Sequence, residues 1–196
     1  MILAIDSSMG TAVGVVALDG TAVSAVSSDD PRAHAELIGV LIERALSAAQ
    51  ISPAEVTAVA MGVGPGGFTG LRVGMAAAEA FAFARGLELY PVVSHDALGW
   101  ASEDEVVVVT DARRGEVAFS VYLPGSAMRR VHGPALSTPA GLESALGEWS
   151  RLPRIEATGL DAAALGAVAV AMMAANLPLP SRAPLYLRAP DVTVKT

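Results

Sequence analysis

Cysteine is absent from the 196 residues. That excludes disulfides, thiol catalysis and thiolate metal sites, and it fits a reducing compartment. Aromatic residues are scarce at 5%, so the core has to form by close packing of small side chains. Positive charge is also short, with 13 Lys and Arg against 20 Asp and Glu and a net charge of −7. A protein that grips nucleic acid directly needs a basic surplus to displace condensed counterions. Any RNA contact is therefore expected to come through a partner. The apolar run at 2–5 meets Asp6 at once and has no basic flank, so it does not read as a signal peptide. The longest nearly uncharged helical stretch, 162–175, is too short to span a bilayer. A cytoplasmic location is expected. His34, His95 and His132 are dispersed, with no H-E-x-x-H pattern, so no metal centre is expected. The G-x-S-x-G signature of a serine hydrolase is missing as well.

What is present is a globular composition, 53% hydrophobic and 17% charged, in one large domain or two small lobes. Apolar runs at 2–5 and 11–18 flank a turn-like cluster, Asp6-Ser7-Ser8-Met9-Gly10. Asp19-Gly20 predicts a type I′ hairpin into a strand at 21–27. Apolar spacings of three and four predict a helix over 33–50. Ser52-Pro53-Ala54-Glu55 is a capping box opening a short helix. A strand at 57–61 leads into GVGPGGFTGLRVG (62–74), and a second long helix runs over 68–85 to a stop at Gly86. A strand at 89–93 follows, with Ser94 as the cap of another helix. Beyond an acidic run at 103–105, ILAIDSSMGTAVGVVALDG (2–20) lies over VVVTDARRGEVAFSVYLPG (107–125) at a constant offset. Asp6 matches Asp111, Gly10 matches Gly115 and Gly20 matches Gly125. The pattern reads as an internal duplication, each half opening with a strand–Asp–turn–strand unit. Thr138 and Asp161 predict two further helix caps, and four prolines (178, 180, 184, 190) keep the tail extended. This predicts an α/β fold of the two-lobe actin/Hsp70/sugar-kinase kind, with ribonuclease H-like mixed sheets. The N-terminal lobe is expected over 1–100, and a shortened second lobe with the tail over 101–196.

Gly62, Gly64 and Gly67 satisfy G-x-G-x-x-G, the pattern of a phosphate-cradling turn. Phe68 stands where a P-loop needs lysine, however, and Pro65 removes an amide. The loop therefore reads as tight turning and close helix–strand contact. Asp6 and Asp111 carry two readings. They flank an interlobe cleft, with Ser7 and Ser8, and hold Mg²⁺–phosphate. Alternatively, each caps its own turn by accepting backbone N–H groups. Ser8, where nucleotide-binding turns have the glycine of D-x-G, favours capping and a vestigial cleft. Arg113 and Arg114 either meet an anion or face solvent. Arg32, His34 and Glu36 either form a polar patch or are a solvated helix start. In the helix over 68–85 only Arg72, Glu79 and Arg85 are charged, and a helix apolar on nearly every face demands burial all round. Beside the similarly apolar first helix, it predicts a patch that a partner covers.

GPGGFTGLRVG (64–74) resembles the G-P-G-S-F-T-G-L-R-x-G signature of the bacterial TsaB, or YeaZ, family. IDSS near the start, RAHAE (32–36), DARRGEV (111–117) and PLYLRAPDV (184–192) extend the resemblance in order along nearly the whole chain. The resemblance implies a protein of tRNA threonylcarbamoyladenosine synthesis that is an inactive paralogue of the catalytic subunit TsaD. It implies a scaffold and activator that dimerises with itself or with TsaD and is joined by the ATPase TsaE, with tRNA met only through the complex and no cofactor of its own. The partner-binding residues it implies are Leu37, Leu41 and Ala45 on the first helix, and Leu71, Arg72, Val73, Ala76, Ala77 and Ala80 on the second. Gly67 and Ala35 replace serines of the family pattern, so any polar role of those serines is missing here. The alternative function is a nucleotide-binding phosphotransferase or ATPase of the actin/sugar-kinase fold.

Overall fold

The structure is a computed structural model and describes residues 1–30, 33–100, 102–124 and 129–188. Arg32, Gly125 and Pro190, named above, lie outside the described residues. The chain opens with β1 (Ile2–Asp6), β2 (Thr11–Val16) and β3 (Ala22–Ser28), then α1 (His34–Ala48). β4 (Ala58–Gly62), α2 (Phe68–Arg85), β5 (Glu88–Val92) and the single-turn α3 (Asp96–Gly99) follow. The second half comprises β6 (Val106–Asp111), β7 (Val117–Tyr122), β8 (Arg130–Ser137), α4 (Leu142–Leu146), β9 (Arg154–Ala157) and α5 (Ala162–Ala174).

Two mixed sheets result, in the orders β3-β2-β1-β4-β5 and β8-β7-β6-β9. The duplication seen in the sequence is a duplication of structure. β1 pairs antiparallel with β2 and parallel with β4, and β6 pairs antiparallel with β7 and parallel with β9. The registers correspond residue for residue: Ile2 faces Val16 as Val107 faces Val121, and Asp6 faces Ala12 as Asp111 faces Val117. β1, β2 and β4 are buried on both faces, which explains their continuous apolar runs.

α1 and α2 cover one face of the first sheet, where Leu41, Ala45, Leu71, Met75 and Ala78 meet Leu3, Ile5, Val59 and Met61. The other face is covered by α5, whose Leu165, Val168, Ala169 and Met172 pack on Ile2, Ala4 and Ala60. A lobe boundary at 100/101 assigns this helix to the second lobe, yet its contacts are with the first sheet. Gly14 and Gly166 allow this approach, because a Cβ at Gly14 would lie 2.6 Å from the Ala163 nitrogen.

Three local expectations are corrected. The β2–β3 connection is not type I′, because only Gly20 has positive φ; a tight turn closes from Gly20 N–H to the Ala17 carbonyl and ends in this left-handed glycine. The capping box at Ser52 and Glu55 forms, but over one 3₁₀ turn. Ser94 makes no cap to α3; its hydroxyl serves Asp6 instead.

Candidate functional site

A cleft of about 750 Å³ opens between the two sheets. The turn after β1, the loop after β4, the end of β6 and the segment after β9 line it with Ser7, Ser8, Gly66, Gly67, Asp111 and Thr158. These four strands present their carboxyl ends there, the position at which open α/β sheets place ligands.

Asp6 does not line the cleft. It is fully buried beneath it, and both its oxygens are engaged. Oδ1 accepts the Ser8 N–H at 2.7 Å and the Ser8 hydroxyl at 2.6 Å, and Oδ2 accepts the Ser94 hydroxyl. A Cβ on Gly62 would collide with Oδ2, so this glycine makes room for the carboxylate. Burial pushes the Asp6 carboxyl above its usual range, against the lowering effect of these hydrogen bonds. Asp111 repeats the turn in the open: its Oδ1 accepts the Arg113 N–H at 2.9 Å, but its side chain is exposed. Both aspartates therefore cap their turns, and only Asp111 reaches the cleft.

The glycine loop is shaped by the β1–β2 turn. A Cβ at Gly66 would lie 2.7 Å from Ser8 Cα, and one at Gly74 would overlap the Ser7 hydroxyl. That hydroxyl donates to the Gly70 carbonyl at 2.7 Å and accepts the Gly74 N–H at 2.8 Å, so it sits across a helical turn of α2. His34 closes the same corner. Its Nδ1 lies 2.7 Å from the Thr11 hydroxyl, and its Nε2 is 2.8 Å from where a Gly70 Cβ would stand. Glu36 is exposed and Arg32 is outside the described residues, so of that trio only His34 is placed at the cleft.

Sequence reasoning missed a buried strut between the sheets. His95 is fully buried, with Nδ1 2.8 Å from the Ser120 hydroxyl and Nε2 2.9 Å from that of Thr110. Burial, with Arg130 nearby, lowers its pKa to about 3, so it is neutral. Asp96, next in the chain, accepts Arg130 Nε and the Tyr122 hydroxyl, both at 2.7 Å. Ser94, His95 and Asp96 thus join the Asp6 turn to β6, β7 and β8. The sequence sign was a run of three polar residues after the apolar segment that ends at Val93.

Of the partner-binding residues expected on α1 and α2, Leu41, Ala45 and Leu71 are corrected: they belong to the chain's own core and present nothing outward. Leu37, Val73 and Ala77 are half-buried, and Arg72, Ala76 and Ala80 are exposed. The most exposed large apolar side chain described is Phe83, with 90% of its surface open. At the start of α2, Phe68 stacks on Tyr186 with ring centroids 5.0 Å apart. The Arg72 guanidinium lies 4.0 Å above the Phe68 ring, and its Nε donates to the Tyr186 hydroxyl at 2.7 Å. Among the described residues no group of His, Asp and Glu converges as a metal site, and no helix is long and apolar enough to cross a membrane.

The family model of TsaD, tRNA N6-adenosine threonylcarbamoyltransferase, matches residues 26–182. The chain belongs to the TsaD family. An uncharacterized protein of Mycobacterium tuberculosis strain H37Rv is 40% identical over 171 residues, which cover 83% of this chain and 78% of that protein. An uncharacterized protein of Mycobacterium leprae is 40% identical over 148 residues, covering 73% of this chain but only 40% of the longer relative. The solved structure of YeaZ from Pseudomonas aeruginosa superposes with a TM-score of 0.75, covering 94% of this chain and 99% of that one at 22% identity. The TsaD-family match and the YeaZ fold bear out the resemblance drawn from the glycine signature, and with it the two-lobe architecture.

Proposed function

We propose that this TsaD-family chain is a non-catalytic subunit of the TsaB type, a scaffold and activator in cytoplasmic tRNA threonylcarbamoyladenosine synthesis. In this reading it pairs with a TsaD-type catalytic subunit, recruits a TsaE-type ATPase, and meets tRNA only through that complex. The observation that carries the reading is the outer face of α2, where Arg72, Ala76, Ala80 and Phe83 stand exposed on an almost uncharged helix. Small residues permit close helix–helix approach, and an open aromatic at the end supplies an anchor. The buried Asp6 supports the same reading, since its oxygens are committed to Ser8 and Ser94.

The test is co-purification with the TsaD-type subunit. Val73→Glu and Ala77→Glu, at half-buried positions beside the exposed face, should abolish the complex while far-UV circular dichroism stays unchanged. The chain alone should transfer no threonylcarbamoyl group. A complex that survives both changes removes the proposed interface. The second reading, phosphotransfer in the cleft, draws on Asp111, Arg113 and Arg114 at the cleft wall. Tight calorimetric binding of Mg²⁺–ATP by the isolated chain, lost in Asp111→Asn, would favour it.

A further inference from the structure

The two described sheets end in four edge strands, and three of these are guarded against further pairing. β5 carries Glu88 and Pro91, β8 carries Gly133-Pro134 at its centre, and β9 is only four residues long, with Arg154 and Glu156. β3 has none of these devices. Its seven residues, AVSAVSS, include no charge, proline or glycine, and their register with β2 is unbroken from Ser24 to Ser28. Among the described residues β3 pairs with β2 alone, and no other backbone hydrogen bond involves it. Its outer side therefore presents a row of N–H and C=O groups.

A cavity of about 350 Å³, separate from the interlobe cleft, adjoins this edge. Ser24 and Val26 turn towards α1, where the Ser24 hydroxyl donates to the Ala45 carbonyl at 2.7 Å. Ala25 and Ser27 alternate with them and face the α5 side, opposite Gly14 and Ala12 of β2. Both line the cavity, and both are small and exposed, so they leave its mouth open towards the edge. Met9, Ala12, Leu98 and Leu160 supply apolar walls. Asp29 and Asp161 bring two carboxylates, and no Lys or Arg is among the lining residues. Asp161 is fixed there as the cap of α5, accepting the Ala163 N–H at 2.8 Å.

We propose that an extended segment of a partner protein adds to the first sheet along β3. Main-chain hydrogen bonds to the outer side of β3 hold it, and a large apolar side chain crosses Ala25 and Ser27 into the cavity. A Lys or Arg beside that anchor meets Asp29 and Asp161. This surface lies on the α5 side of the sheet, whereas α2 covers the other face, so the proposal is independent of docking on α2.

The experiment selects binders of the full chain from a phage library of random peptides of about ten residues, long enough for one strand. Selected peptides should share an apolar residue next to Lys or Arg. Ala25→Arg and Asp29→Lys, both at exposed positions, should each raise their dissociation constant at least about tenfold by fluorescence anisotropy. N-methylation of alternate peptide amides should abolish binding, and bound peptide should slow amide exchange in β3. Val73→Glu and Ala77→Glu should leave the peptide affinity unchanged, which separates this site from the α2 interface. A library that yields no binder, or binders indifferent to Ala25→Arg, overturns the proposal. Binding that leaves β3 exchange unaltered overturns it as well, since the cavity would then take a ligand without strand addition. So does self-association of the wild type that Ala25→Arg abolishes, because the occupant of the edge would then be a second copy.

Discussion

His95 shows how much one buried side chain governs in this molecule. In the unfolded chain its imidazole titrates near 6.5, while in the fold the value drops to about 3. The unfolded state therefore binds the extra proton between these limits, and stability contributed by neutral His95 is complete above pH 6.5 and lost as the pH falls towards 3. The span corresponds to roughly 4–5 kcal/mol. Asp6 and Asp96 act in the opposite sense, since burial raises both carboxyls and favours the fold as they protonate. Thermal melts of wild type and His95→Gln between pH 7 and pH 4 separate the two effects. The variant should start less stable at pH 7 and lose less on acidification; parallel curves would show that His95 does not set the acid limb. At this scale the sequence was legible where partners are local. The turn-capping role of Asp6 and Asp111 follows from an acceptor two residues before its donor. The bonds of Ser94 to Asp6, across 88 positions, and of His95 to Ser120, across 25, have no local trace.

Glycine in the helices carries two opposite meanings, which α1 and α2 let one compare. Gly39 lies in the exposed interior of α1, and a Cβ there would meet nothing within 4 Å. Gly39→Ala should stabilise the protein by about 0.5–1 kcal/mol, because alanine loses less backbone entropy in a helix. At Gly74 the same change drives a methyl group into the Ser7 hydroxyl. It breaks the bonds of that hydroxyl to Gly70 and Gly74 and should cost about 2–4 kcal/mol. Urea unfolding of both variants checks the opposite signs; two changes of the same sign would mean that Ser7 does not seat α2. The bounds of α2 were legible because Gly86 ends it in the left-handed conformation. That its glycines serve the β1–β2 turn was not, since the turn lies more than 60 residues away. β8 was also missed. It carries Gly133-Pro134 at its centre, which argues against a strand in general and is tolerated here because β8 is an edge.

At the scale of the whole molecule, the two halves are interlocked. α5 returns from the second half to close the first sheet, and the Asp96–Arg130 pair with His95 joins α3 to the second sheet. The repeat at 2–20 and 107–125 made two similar halves legible. It carried no sign of this interlocking, because α5 is apolar on nearly every face and its sequence does not name the sheet it covers. Interlocked halves should unfold together. The two tryptophans report on them separately: Trp100 packs in the α5 core, and Trp149 packs against the second sheet. Trp149→Phe and Trp100→Phe each leave one reporter, and both fluorescence curves should share their urea midpoint with circular dichroism. Arg130→Ala strands the buried Asp96 without its counter-charge, a loss of about 3–5 kcal/mol. Because the pair spans the halves, both fluorescence curves should shift together. Replacing both partners, Asp96→Asn with Arg130→Met, should recover most of that loss, since no buried charge is left unpaired. Separate midpoints, or a shift confined to Trp149, would show instead that the two sheets fold as independent units and that the strut only decorates their contact.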